Sequence, residues 1–241
     1  MTEPLPGDPT ELHLRFVYAD MLSDTPHADT HPARSDNGRC RACGAGGGPR
    51  RATLRECEAD HCQAYTLSDS AVGSMTFFRV HLDRGRNAYA VLADESEDLN
   101  EIAQVLLDPA TGYFTDEVSE LLEYSGSALL VMDRVTLREE WRGHGLGTIL
   151  ASEAIFRLMP GCRAVACAPG VSDLSANGLR DEAEWDRITD KITRGWERIG
   201  FRPCRGGVFV LSPTSLILEE QRSQLRRRLV ELAIVWRATG A

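Results

Sequence analysis

One junction narrows the fold more than any other feature of the chain. Residues 128–138 read as a long apolar strand, which passes through Glu139, Glu140 and Trp141 into Arg142, Gly143, His144, Gly145, Leu146 and Gly147. A helix expected over 146–159 follows directly, stopped by Pro160 and Gly161. A strand that feeds a helix through glycines makes an anion site. Glycine lets the main chain come close to a ligand. The amides of the first helical turn lack partners inside the helix and point at whatever negative group sits at the positive end of the dipole. A pyrophosphate fits this arrangement.

Composition bounds what else the chain can be. With 241 residues, 42% of them apolar, it can bury a core as one large domain or as a domain with an appendage. A net charge of minus 9 and a pI near 5.2 argue against a nucleic-acid partner, because phosphate tracking relies on clustered Lys and Arg. No apolar run approaches the roughly 20 residues of a bilayer span, and residues 1–7 lack a basic segment followed by an apolar one. The expectation is a cytoplasmic protein without a membrane partner.

Leu12, Leu14, Phe16 and Tyr18 alternate with polar or smaller residues, the two-residue period of a strand. Residues 21–55 are rich in Pro, Asp, Gly, Arg and Thr and have too few large apolar side chains to offset ordering entropy, so they are expected to lie outside the core. A hairpin is expected from 75–82 through the turn 83–87 into 88–93. Leu99, Ile102, Ala103 and Leu106 share a helical face behind Ser96 or Asp98, and Thr115 caps a shorter helix carrying Val118, Leu121 and Leu122. A strand over 163–168, a helix over 181–199 with Trp185, Ile188, Ile192, Trp196 and Ile199 on one stripe, and closing strands over 201–204 and 208–211 follow. Leu225, Leu229, Leu232 and Trp236 mark a basic C-terminal helix. It would cover its own domain or pack a second subunit as a homodimer.

The glycine loop separates three phosphate motifs. No Lys follows Gly147, as a P-loop needs, and the spacing 143, 145, 147 misses Gly-x-Gly-x-x-Gly. Arg142-x-x-Gly145-x-Gly147 after an apolar strand resembles the acyl-CoA loop of the GNAT (Gcn5-related N-acetyltransferase) family. Trp196, Glu197, Arg198, Ile199, Gly200 and Phe201 resemble the ending that this family places after its next helix. The resemblance covers about a third of the chain. It implies an α/β acyl-CoA N-acyltransferase fold with a mixed, mostly antiparallel central sheet, helices on both faces, and strands that splay to admit the cosubstrate. It also implies acetyl-CoA as donor, its pyrophosphate held by Arg142, Gly143, His144, Gly145, Leu146 and Gly147. Main-chain groups of Leu137 and Arg138 would pair with its pantetheine arm. The acetyl group would pass directly to a primary amine of a small molecule or a protein. The expected organisation is an N-terminal strand and cysteine-bearing segment over 1–70, a core over 71–214 with a helical insertion at 94–126, and the terminal helix over 215–241.

Two positions depart from the family pattern. Trp196 stands where many members carry a Tyr general acid, and Thr189 where they carry an Asn. An indole gives up no proton at ordinary pH. For the base, Asp133 is the first candidate, since a carboxylate in an apolar central strand is costly unless it is paired or functional. Pairing to main chain or to an Arg is the alternative, and Glu139 and Glu140 are expected to be solvated or bonded to the turn. An inert acyl-CoA-binding sensor or interaction module is the rival to an enzyme.

Seven cysteines without a secretion signal read as reduced thiols or metal ligands. Cys40-x-x-Cys43 resembles half a zinc knuckle, and Cys57 with Cys62, or His61 in place of one, could complete a structural zinc site. A clustering of thiols without metal is the alternative. Cys162, Cys167 and Cys204 lie in apolar surroundings and are expected to be buried packing.

Overall fold

A computed structural model of the chain describes residues 4–18, 49–55, 71–169 and 182–239. In chain order it contains β1 (His13–Tyr18), β2 (Pro49–Arg55), β3 (Ala71–His81), α1 (Ala88–Glu95), α2 (Glu97–Leu106), α3 (Asp116–Glu120), β4 (Ala128–Leu137), α4 (Leu146–Leu158), β5 (Cys162–Cys167), α5 (Glu182–Ile199), β6 (Arg202–Pro203), β7 (Phe209–Leu211) and α6 (Leu218–Thr239). Among the described residues the strands form one seven-stranded sheet in the order β1-β2-β3-β4-β5-β7-β6. Only β4 and β5 run parallel; every other neighbouring pair is antiparallel. The class is α/β, mixed and mostly antiparallel, with helices on both faces.

The alternation of β4 divides the interior into two cores. Leu130 and Met132 point to one face, where they meet Leu146, Ile149 and Ile155 of α4, Trp196 of α5 and Leu225 of α6. Leu129 and Val131 point to the other, against Leu92 of α1, Leu99 and Ile102 of α2 and Val118 of α3. Burial on both faces explains why this strand reads as a continuous apolar run.

One expectation is corrected, and another is given its form. Residues 88–93 are not the second strand of a hairpin but the start of α1. The Asn87 side chain accepts from the Ala90 amide at 3.1 Å, a cap that turns an alanine-rich segment helical, and Ala88 and Leu92, one turn apart, are buried. β3 pairs instead with β2 on one side and β4 on the other. Residues 49–55, expected outside any core, form β2, held by ladders to both β1 and β3. Pairing on both sides satisfies its main chain without the apolar alternation by which strands are recognised.

α6 is fixed to α4 through one carboxylate. Glu153 accepts from Arg222 (Nε 3.0 Å, Nη2 3.1 Å), from Arg226 (Nε 2.6 Å, Nη2 3.0 Å) and from Arg157 (Nη1 2.8 Å). The Arg222 guanidinium also lies 3.3 Å over the Phe156 ring. Further along α6, Arg237 donates to Asp8 at 2.7 Å, which attaches the helix to the short 3-10 turn Pro9–Glu11. Burial pushes the Glu153 carboxyl up, but the hydrogen bonds from Arg226, Arg222 and Arg157 outweigh it and hold the pKa at about 2, below the ordinary 4.5. A depressed carboxylate stabilises the fold above its unfolded pKa and loses that contribution as pH falls through its folded one. Glu153→Gln is therefore expected to cost about 1–3 kcal/mol at pH 7, because it leaves the buried Arg222 without its counter-charge, while Arg226 and Arg157 remain screened by solvent. Urea titrations should show the difference between the two proteins shrinking as pH is lowered from 4.5 towards about 2.

Candidate functional site

β5 pairs with only the first half of β4. Their ladder runs from Ala128↔Cys162 to Met132↔Cys167, where β5 ends, while β4 continues to Leu137 with β3 as its neighbour. The edge of β4 beyond Met132 thus opens onto a cavity of about 330 Å³. Residues 132–137 form one wall, Cys167 and Ala168 lie at its closed end, and Ile188, Lys191, Ile192 and Trp196 of α5 form the far wall. The fourth side is the loop and first turn of α4, with Arg142, Gly143, Gly145, Leu146, Gly147 and Thr148.

Main-chain parity decides which groups face the cavity. The Arg138 amide donates to the Val72 carbonyl at 2.8 Å, towards β3. Neighbouring residues of a strand turn their main-chain groups to opposite edges, so Leu137 and Val135 present theirs to the open side. Of the two residues expected to offer main-chain groups, Leu137 does so, and the Arg138 amide faces the other way. The Arg142 side chain bridges from the loop, its Nε donating to the Leu137 carbonyl at 2.7 Å.

The helix start has the features of an anion cradle. Gly145 is its N-cap at φ 80°, ψ 8°, and provides no side-chain oxygen for the first-turn amides of Leu146, Gly147 and Thr148. A Cβ built on Gly145 meets nothing within 4 Å, whereas one on Gly147 makes ordinary contact, at 3.8 Å, with the side chains of Val135 and Leu137. Gly143 also has a left-handed φ of 87°. His144, half-buried, is the one residue of the 142–147 loop that does not line the cavity. Close packing of the helices keeps this corner tight: a Cβ on Gly195 of α5 would lie 2.6 Å from Thr148 Oγ1.

Asp133 sits on the cavity wall for a reason invisible in its immediate sequence. The β3–β4 ladder passes from Thr76↔Arg134 to Phe77↔Met132, leaving Asp133 with no opposite residue, the bulged position of β4. Burial pushes its carboxyl above the ordinary 3.8; Arg134 pulls it back, while Asp98 and Glu95, at the α1–α2 junction, push it further up. Glu139 and Glu140, expected at the turn, are exposed, and Glu140 lies 3.9 Å from Arg138. Cys167 is buried and its thiol is raised far above the ordinary range by desolvation, so it is a wall residue and not a nucleophile.

Sequence reasoning placed Asp133 and the glycine loop but missed the far wall as a surface. Ile188, Lys191, Ile192 and Trp196 share one face of α5, and the apolar stripe that includes three of them does not by itself tell a cavity wall from core. Lys191, on the same face, is the signal that could have revealed it. Cys40, Cys43, Cys57 and Cys62, as well as His61, lie outside the described residues. Among the described residues no group of three His, Cys, Asp or Glu side chains gathers as metal ligands would, and no helix is long and apolar enough to cross a membrane.

No family model matches the chain, and no curated protein matches it. Among solved structures it is similar to Arabidopsis thaliana NAA60 in complex with acetyl-CoA, at 17% identity and a TM-score of 0.38 over 70% of this chain and 79% of the other. A second is the same plant protein in complex with a bisubstrate analogue, at 18% identity and a TM-score of 0.35 over 69% of this chain and 76% of the other. Both likenesses are distant, and the reading of the site rests on its own geometry.

The two glycines of the helix start should respond differently to a methyl group. Gly145→Ala forces a non-glycine residue into left-handed backbone and is expected to lose about 1–2 kcal/mol of stability in urea titrations. Gly147→Ala has room and helical backbone, and should shift stability by less than about 1 kcal/mol.

Proposed function

We propose that this chain is a GNAT-type N-acetyltransferase that moves an acetyl group from acetyl-CoA to a primary amine of a small molecule or a protein. The observation that carries the reading is the meeting of two features in one cavity: a glycine-capped helix start with unclaimed amides and a strand edge left open where its parallel neighbour ends. The first-turn amides of Leu146, Gly147 and Thr148 suit the pyrophosphate. The Leu137 amide and the main-chain groups of Val135 suit an amide-bearing pantetheine arm, which would lie along β4 as an added strand.

The chemistry asked of the protein is modest. A neutral amine attacks the thioester carbonyl, its proton is removed, and the thiolate leaves. Asp133 suits the base, since it lines the cavity and its raised pKa brings it nearer the working range of a general base. Glu95 and Asp98 add negative potential on the Asp133 side, which favours a cationic acceptor.

Trp196 favours a second reading. It lines the cavity, is only 9% exposed, and has no acidic proton to return to the leaving thiolate. A module that binds acyl-CoA without turnover, as sensor or interaction partner, has no need of one. A cytoplasmic setting, a structural zinc on Cys40, Cys43, Cys57 and Cys62, and pairing of two copies through α6 belong to the same proposal and rest on sequence alone.

Calorimetry with coenzyme A tests binding, and release of free thiol from acetyl-CoA over a panel of amines and peptides tests turnover. The enzyme reading expects both; binding with no thiol release for any acceptor leaves the inert module. In the enzyme, Asp133→Asn should lower kcat roughly 100-fold. Asp133 must be ionised to accept a proton, so the wild-type rate should fall as pH drops through a pKa displaced above 3.8, and the variant should lack that acid limb.

A further inference from the structure

Of the 27 Lys and Arg side chains in this chain, every one but Lys191 is arginine. That single lysine lies on the wall of the cavity, exposed at its mouth, on the α5 face shared with Ile188, Ile192 and Trp196 and opposite the open edge of β4. A guanidinium stays protonated in water and has no lone pair to offer an acyl donor, whereas a lysine in its neutral form is a good nucleophile. The arginines are thus chemically silent towards a thioester, and the chain carries its one side-chain amine in the cavity read as holding the donor.

We propose that Lys191 is a self-acylation site that accepts the acetyl group of the bound thioester when no external amine is present. The proposal rests on the acyl-CoA reading of the cavity. Confinement with the donor raises the effective concentration of the amine far above that of any amine in solution. In the step, the neutral Nζ attacks the thioester carbonyl, the C–N bond forms and the C–S bond breaks. The amine proton passes to the Asp133 carboxylate or to water, and the departing thiolate takes up a proton to leave as coenzyme A. The product is a neutral acetyl-lysine, so the cavity mouth loses its ammonium charge and gains an acyl group.

The full chain would be incubated with acetyl-CoA and no acceptor, and followed by intact mass and peptide mapping. Lys191→Arg and wild-type protein held unfolded in urea would be treated in parallel, with calorimetry of coenzyme A on the folded wild type. The expected result is a gain of one acetyl group per chain, mapped to Lys191, absent from Lys191→Arg and strongly slowed in urea. Binding of coenzyme A without any acetyl gain, a gain confined to the α-amine, or equal rates in folded and unfolded protein would each overturn the proposal while leaving the cosubstrate reading intact. Absence of binding heat together with absence of acetylation would remove both.

Discussion

The geometry of the site depends on where two parallel strands part. β4 and β5 share hydrogen bonds as far as Met132 and Cys167, and there β5 ends while β4 goes on to Leu137. An unpaired strand edge inside a protein leaves amides and carbonyls without partners, a state that folded chains avoid. Here the far half of β4 is tolerated because the cavity beside it can admit a ligand or water, and because the Arg142 side chain already takes the Leu137 carbonyl. The same parting gives the cavity its depth, its closed end and its main-chain donors and acceptors.

Much of this was legible in the residues. The strand-loop-helix junction around Arg142, Gly145 and Gly147 carries a local signal, since glycine at an N-cap with left-handed backbone and an apolar strand before it leave few alternatives. The helices α2 and α3 announced themselves through Ser96 and Thr115, whose side chains cap them as the pattern implied. What stayed hidden was non-local. β2 is held by partners on both sides, which no reading of its own seven residues can supply, and α1 hinged on one asparagine cap inside a segment that also suits a strand. The bulge at Asp133 belongs to a register between β3 and β4, so its effect on the carboxylate could be named only once both strands were in place.

Charge is distributed with a division of labour. The carboxylate of Glu153 is drowned in guanidinium groups and serves to join α6 to α4, well away from the cavity wall. Asp133 has the opposite environment, with burial and acidic neighbours raising its pKa and one arginine resisting. Two acidic groups are thereby pushed in opposite directions, one fixed as an anion and the other made easier to protonate.

The contact between Gly195 and Thr148 has a wider meaning for the cleft. A side chain on residue 195 would run into the Thr148 side chain, which itself lines the cavity, so the close seating of α5 on α4 at this corner is permitted by the absence of a single carbon atom. Packing and chemistry at this corner are therefore separable: a methyl group at residue 195 would have to displace the Thr148 hydroxyl while every residue on the walls kept its identity. A lineage built on this scaffold could reshape that corner without replacing the residues that line it.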